Sequence, residues 1–213
     1  MDKGLFSPNR STITGVVLAG GRATRMGGMD KGLVPVGGAP MVKHVVQRLS
    51  PQVARVVINA NRNVERYRCL ADAVVTDSHR DFAGPLAGMA AAMQWAQYGW
   101  IVTVPCDSPL VPGDLVARLA AALRAEDAEL AVAWGDGRLQ PVFALLPCNL
   151  LGSLQQFLAS GERKIDKWYA SHRMATADLD DVPETFLNVN TPEERDALEV
   201  RYFDDGARER RHE

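Results

Sequence analysis

Cysteine, histidine and aromatic residues are scarce, at three, four and 7% of the 213 positions. Cys69, Cys106 and Cys148 lie far apart and lack the paired spacing of a zinc site. An odd number of thiols without a secretion signal fits a reducing compartment. His44, His79, His172 and His212 are scattered, and no Ser/His/Asp arrangement for nucleophilic catalysis is suggested. The opening "MDKGLFSPNRST" has no apolar core of about 7–15 residues, so no signal peptide is expected. No stretch approaches about 18 uninterrupted apolar residues, so no membrane span is expected either. These absences together predict a cytoplasmic protein. A net charge of -2 lacks the cationic excess of a broad nucleic-acid footprint. Any chemistry on anions must therefore rest on a local concentration of cations.

What is present is ordinary globular material, 46% hydrophobic and 23% charged. At this length one domain buries roughly 70–75% of its unfolded surface, and neither an internal repeat nor a linker divides the chain. Apolar runs of strand length alternate with helical patterns. "VVL", "VARVVINA", "AVVT" and "WIVTVPCD" read as strands. "PMVKHVVQRLS", "NVERYRCL", "GPLAGMAAAMQWAQ" and "DLVARLAAALRA" read as the intervening helices. Such alternation predicts an α/β fold with a mainly parallel sheet covered by helices on both faces. Further on, "ELAVAW" and "QPVFALL" flank the tight-turn sequence "GDG" and predict a strand pair. "CNLLGSLQQFLAS" and "RKIDKWYA" predict helices. "TPEERDALEVRYF" predicts a helix with Thr191 as N-cap, Pro192 at its first position and Glu194 closing a capping box. The domain is expected to span 13–203, between a flexible N-terminus at 1–12 and a flexible charged tail at 204–213.

The most unusual stretch is "VVLAGGRATRMGGMDK", from Val16 to Lys31. A short buried strand runs straight into a loop with four glycines, two arginines and a lysine. Glycines permit close backbone approach, and exposed N–H groups beside Arg22, Arg25 and Lys31 suit a polyphosphate. A flexible loop with solvated cations is the alternative. The loop matches neither the P-loop, since Asp30 and Gly32 flank Lys31, nor G-x-G-x-x-G, where Arg22 displaces the second glycine. In an open α/β sheet, ligands bind beyond the carboxyl ends of the strands. Reading each strand to its end gives Gly20 and Gly21, Asn59 and Asn61, Asp77, and Asp107. A carboxylate at such an edge can hold Mg²⁺ together with phosphate oxygens and water. It can equally cap the next helix or form an Asx-turn.

The loop resembles the LAGG-x-x-x-RMG-x-x-DK signature of the molybdenum cofactor guanylyltransferases, bacterial members of the nucleotidyltransferase superfamily. The similarity continues through "INANR", "VTDS", "GPLAGM", "VPCDSPL" and "FLNVNTPEE", over about residues 13–200. It implies a single-domain, Rossmann-like fold of the nucleotide-diphospho-sugar transferase type. It also implies a reaction in which GTP and molybdenum-loaded pterin give the guanine dinucleotide cofactor and pyrophosphate, with Mg²⁺ as cofactor. By motif, Leu18, Ala19, Gly20 and Gly21 would wrap the nucleotide, with Lys31 on its phosphates and Arg25 as a second catalytic cation. Asn59 and Asp77 would bind the guanosine part, and Asp107 the nucleotide and metal. Asn188 and Asn190 would face the pterin, so the N-terminal part would take GTP and the C-terminal part the pterin. The implied partners are these small molecules and, transiently, cofactor-insertion proteins or molybdoenzyme chaperones, with no nucleic acid and no membrane. Cytidylyl relatives usually carry LAAG in place of "LAGG", and sugar-phosphate enzymes carry proline at the position of Asp30. A regulator with a dead site would be expected to have lost Lys31 or Asp107.

Overall fold

The computed structural model describes residues 7–20, 30–77, 84–96, 99–189 and 191–203. The expected elements are all present. In chain order they are β1 (Ile13–Leu18), β2 (Pro35–Val36), β3 (Ala39–Pro40), α1 (Met41–Leu49), β4 (Arg55–Asn59), α2 (Val64–Tyr67), β5 (Ala73–Val75) and α3 (Pro85–Ala96). Then follow β6 (Trp100–Pro105), α4 (Leu115–Ala125), β7 (Leu130–Gly135), β8 (Arg138–Pro147), α5 (Leu151–Ala159), α6 (Ile165–Tyr169), β9 (Met174–Asp178) and α7 (Pro192–Tyr202).

Seven strands form one sheet in the order β5-β4-β1-β6-β8-β7-β9. Only β8 runs against its neighbours, pairing antiparallel with β6 and β7. The other pairings are parallel, which helical crossovers between the strands require. Alternate side chains of each strand enter opposite layers. Val17, Ile58 and Val102 meet α1 and α4 through Val45, Leu49 and Leu119. Val16, Val57 and Ile101 meet α3, α5 and α6 through Met89, Leu154 and Trp168. Burial on both faces is why these strands are continuously apolar instead of alternating. The "GDG" turn is as expected. Asp136 and Gly137 take φ of 55° and 69°, the paired positive angles of a type I′ hairpin turn.

Three features were not legible beforehand. The edge strand β9 pairs parallel with β7, burying only Ala175 and Ala177, whose small side chains give little hydrophobic signal. The two-residue strands β2 and β3 form a hairpin around Gly37 and Gly38, with φ of 54° and 76°. Arg10–Thr12, placed above within a flexible N-terminus, forms a 3-10 turn capped by Asn9, whose side chain accepts from Ser11 N at 3.0 Å. Residues 1–6 and the tail 204–213 lie outside the described residues.

The capping box of α7 forms as predicted. Glu194 N donates to Thr191 Oγ1 at 3.2 Å, and Thr191 N to Glu194 Oε2 at 3.1 Å. This helix lies on the hairpin. Gly37 N donates to Glu199 Oε1 at 2.7 Å, and Leu198 joins Val34, Val36, Met41, Leu110 and Val189 in a third, smaller apolar cluster. That cluster carries the segment before α7 back to the end of β6. No helix among the described residues is long and apolar enough to cross a membrane.

Candidate active site

β1 lies between β4 and β6, so the crossovers leave it to both sides and the crevice beyond its end is the topological switch point. The register brings the strand ends level: Leu18 is opposite Asn59 and Pro105, and Asn59 is opposite Val75. The loops leaving β1, β4, β5 and β6 therefore start from one edge. The backbone continues the pairing a step further, with Ala19 N donating to Asn59 O at 2.8 Å and Cys106 N to Leu18 O at 3.1 Å.

On the β6 side, Lys31 Nζ lies 3.2 Å from Asp107 Oδ2, with the two side chains 25% and 19% exposed. Lys31 belongs to a 3-10 turn, Lys31–Leu33, that follows the glycine-rich loop. Asp107 does not cap the next helix, whose N-cap is Asp114. Its backbone oxygen accepts from Val189 N at 3.4 Å, and the neighbouring Ser108 hydroxyl, fully buried, donates to Asn188 Oδ1 at 2.9 Å. The C-terminal "NVN" segment is thus anchored beside Asp107, with Asn188 itself exposed.

On the β4 side, the Asp77 carboxylate accepts from two amides: Asn59 Nδ2 at 2.8 Å and Asn61 Nδ2 at 2.7 Å. Asn61 Oδ1 accepts in turn from Asp77 N at 2.8 Å. Asn59 is 2% exposed, and Val75 O accepts a further bond from its amide at 3.3 Å. With its donors so engaged, the orientation of its side-chain oxygen is set. A Cβ added to Gly20 would stand 3.3 Å from that oxygen, so the chain passes close over both asparagines. Gly88 of α3 approaches from below. Its absent Cβ would fall 2.3 Å from Asn59 Oδ1.

The Tyr67 phenol, fully buried, stands beside Asp30 and Gly32, the residues that flank Lys31. Its hydroxyl donates to Asp30 Oδ1 at 2.5 Å, and Asn63 Nδ2 donates to Asp30 Oδ2 at 3.1 Å. Burial first, and then the carboxylate beside it, push the phenol far above its usual range, so it stays a donor. Burial, Asp107 and Asp30 likewise push the Cys106 thiol well up, which removes it as a nucleophile.

Of the residues named from the sequence, Leu18, Ala19, Gly20, Lys31, Asn59, Asp77, Asp107 and Asn188 all stand at this one edge. Gly21, Arg25 and Asn190 lie outside the described residues. Asn63, Tyr67, Gly88 and Ser108 were not singled out. For Gly88 a signal existed, a glycine inside an otherwise strong helix pattern. For Ser108 the signal was its place in "VPCDSPL", directly after Asp107, and for Tyr67 there was none, because it acts through a partner distant in sequence. His44 and His172 are structural: His44 Nε2 bonds Val36 O at 2.8 Å, and His172 Nε2 bonds Ser153 Oγ at 3.2 Å. Among the described residues no three His, Cys, Asp or Glu side chains gather as a metal site. The donor set suits a hard ion taking one or two carboxylates and completing its shell with phosphate oxygens and water.

Residues 15–182 match the family of the MobA-like NTP transferase domain. A molybdenum cofactor guanylyltransferase of Shewanella sp. (strain MR-4) is 54% identical over 186 residues, spanning 87% of this chain and 94% of that protein. One from Cupriavidus metallidurans is 52% identical over 191 residues, with 87% and 94% covered. The crystal structure of a molybdopterin-guanine dinucleotide biosynthesis protein A from Archaeoglobus fulgidus superimposes with a TM-score of 0.73, covering 88% of this chain and 97% of that one. At 22% identity, that likeness speaks for the fold alone.

Proposed function

The chain belongs to the family of MobA-like NTP transferase domains, and from that premise we propose how its residues serve the reaction. It is a nucleotidyltransferase, a molybdenum cofactor guanylyltransferase. It transfers GMP from GTP to the molybdenum-molybdopterin cofactor, forming the guanine dinucleotide and releasing pyrophosphate. The observation that carries the residue assignment is the pairing of Lys31 with Asp107, 3.2 Å apart at the switch point.

The terminal phosphate of the pterin attacks the α-phosphorus of GTP in line. One P–O bond forms there, and the bond to the bridging oxygen of the leaving pyrophosphate breaks. The attacking phosphate is already anionic, so no protein nucleophile is needed, and catalysis is positioning plus charge neutralisation. In our reading Asn59, held by Asp77, orients the guanosine, while Leu18, Ala19 and Gly20, together with Gly21, bind the nucleotide. Lys31 leaves Asp107 for the triphosphate and stabilises charge developing on the α-phosphate and pyrophosphate, with Arg25 as a second cation. Asp107 is the residue that would hold Mg²⁺, which supplies Lewis-acid stabilisation of the phosphate oxygens when bound. Asn188, fixed by Ser108 beside Asp107, faces the pterin with Asn190. The N-terminal part thus takes GTP and the C-terminal part the pterin. The reaction belongs in the cytoplasm, with the product passed to cofactor-insertion proteins or molybdoenzyme chaperones.

The test is guanylyl transfer with Mg²⁺, GTP and metallated pterin, the dinucleotide being read by mass. Lys31→Ala should lose roughly 10²–10³ in rate, the cost of one preorganised donor. Lys43→Ala, on the outer face of α1, should lose almost nothing. Asp107→Asn should remain folded and lose most activity. Equal rates for the two lysine variants, or a folded and active Asp107→Asn, would remove the assignment.

A further inference from the structure

We propose that Asp30, Tyr67 and Asn63 form a positioning latch, tying the turn that carries Lys31 to the end of β4 and the segment after it, which carry Asn59 and Asn61. The inference rests on the reading that Lys31 meets the phosphates of GTP while Asn59 and Asp77 meet its nucleoside. Those two groups sit on different segments, the turn Lys31–Leu33 on one side and the ends of β4 and β5 on the other. A triphosphate can react in line only if both ends are held in one register.

Asp30 is where the segments meet. It occupies the N-cap position of the turn Lys31–Leu33, where an aspartate ordinarily accepts from the first backbone N–H groups of its own turn. Here its side chain makes no such bond. Both carboxylate oxygens instead reach across to the segment after β4, one to Tyr67 Oη and one to Asn63 Nδ2. That segment is shaped for the purpose. Asn63 takes the left-handed region at φ 51°, which asparagine tolerates better than most residues, and its carbonyl accepts from Arg66 N at 2.8 Å to start α2. One short helical turn later, Tyr67 points its hydroxyl back beneath Asp30.

The phenol also abuts the other half of the site. A Cβ on Gly32 would fall 2.7 Å from the Tyr67 hydroxyl oxygen and 3.3 Å from Cys106 Cβ, so the turn after Lys31 rests on the phenol and on the residue preceding Asp107. A side chain serving only to fill the core there would need no hydroxyl. Phenylalanine would bury the same ring. The hydroxyl has one evident task, which is to hold Asp30. Tyr67, Asp30 and Asn63 are thus positioning residues, acting on GTP through Lys31 and the asparagines.

The test compares Tyr67→Phe, Asp30→Ala and the double variant, assayed for kcat and for the KM of each substrate well below the melting temperature. Tyr169→Phe is the control. It also deletes a buried phenol hydroxyl, one that donates to Pro141 O at 2.7 Å on the opposite face of the sheet. Tyr67→Phe should lose about tenfold or more in kcat, the scale on which small misplacements act, with the KM for the pterin unchanged. Tyr169→Phe should keep wild-type kcat at a comparable loss of melting temperature. Adding Tyr67→Phe to Asp30→Ala should cost nothing further, because the hydroxyl acts only through that carboxylate. Wild-type kcat in Tyr67→Phe, additive losses in the double variant, or an equal loss in Tyr169→Phe would each overturn the latch. Lys31→Ala run alongside separates the two levels. If it is inactive while Tyr67→Phe is normal, the latch alone falls. If Lys31→Ala is fully active, the reading beneath the latch falls with it.

Discussion

Replacing Gly88 by alanine tests both the packing beneath the nucleotide edge and the role of Asn59. In an ordinary helix interior the change would stabilise by up to about 1 kcal/mol. Here the added Cβ would stand 2.3 Å from Asn59 Oδ1, 2.8 Å from Asn59 Cγ and 2.9 Å from Leu18 Cδ2. Asn59 cannot swing aside cheaply, because it is 2% exposed and its amide is held by Asp77 and by Val75 O. Overpacking of this kind costs about 1–3 kcal/mol. Breaking the bond to the Asp77 carboxylate removes about 1.5–3 kcal/mol more. The expected net loss is about 1.5–5 kcal/mol after the helical gain is credited. For a chain of this size that is a fall in melting temperature of roughly 3–20 °C. The KM for GTP should rise about tenfold or more as Asn59 is displaced. Gly152→Ala is the matched control: on α5 its Cβ would meet nothing within 4 Å, so its melting temperature should hold or rise. Thermal unfolding of both variants, with GTP titrations of the transfer reaction, decides the matter. A melting temperature that rises in Gly88→Ala as it does in Gly152→Ala would refute the packing argument. A lowered melting temperature with an unchanged GTP KM would refute the role given to Asn59.

Thr185 is fully buried in the turn Pro183–Phe186, and its hydroxyl has no hydrogen-bond partner among the described residues. Thr185→Val should therefore raise stability by about 1 kcal/mol, the desolvation of an unpaired hydroxyl, seen as a higher melting temperature with unchanged turnover; a fall would mean that the hydroxyl is satisfied. Wild-type protein offered equimolar GTP, CTP and ATP should make the guanine dinucleotide in roughly 10²–10³-fold excess, since each buried group left unmatched by the wrong base costs about 1–3 kcal/mol. Similar yields of guanine and cytosine products would contradict a site that reads the guanine edge.

The local grammar of this chain is legible residue by residue. Strand and helix alternate because their hydrophobic periods differ, the turn at Asp136 and Gly137 follows from which residues accept positive φ, and the capping box at Thr191 needs only neighbours three positions apart. The ends of the apolar strands named Asn59, Asp77 and Asp107 for the same reason, since ligands gather where parallel strands stop. The family likeness likewise lies in short contiguous motifs. What the sequence alone left open at each of these positions was the partner. Lys31 reaches Asp107 across 76 residues, and Ser108 reaches Asn188 across 80. Asp30 turns from its own 3-10 turn to Tyr67, 37 residues on. Those pairings depend on strand order and on helices crossing to one side or the other of β1, which no local pattern encodes. The same holds for β9, where two alanines make a strand only because β7 supplies an open edge beside them. Periodicity and turn chemistry act between neighbours along the chain, so the sequence shows them directly. The site is assembled by burial and hydrogen bonding between segments far apart in that chain, so only the tertiary structure decides it.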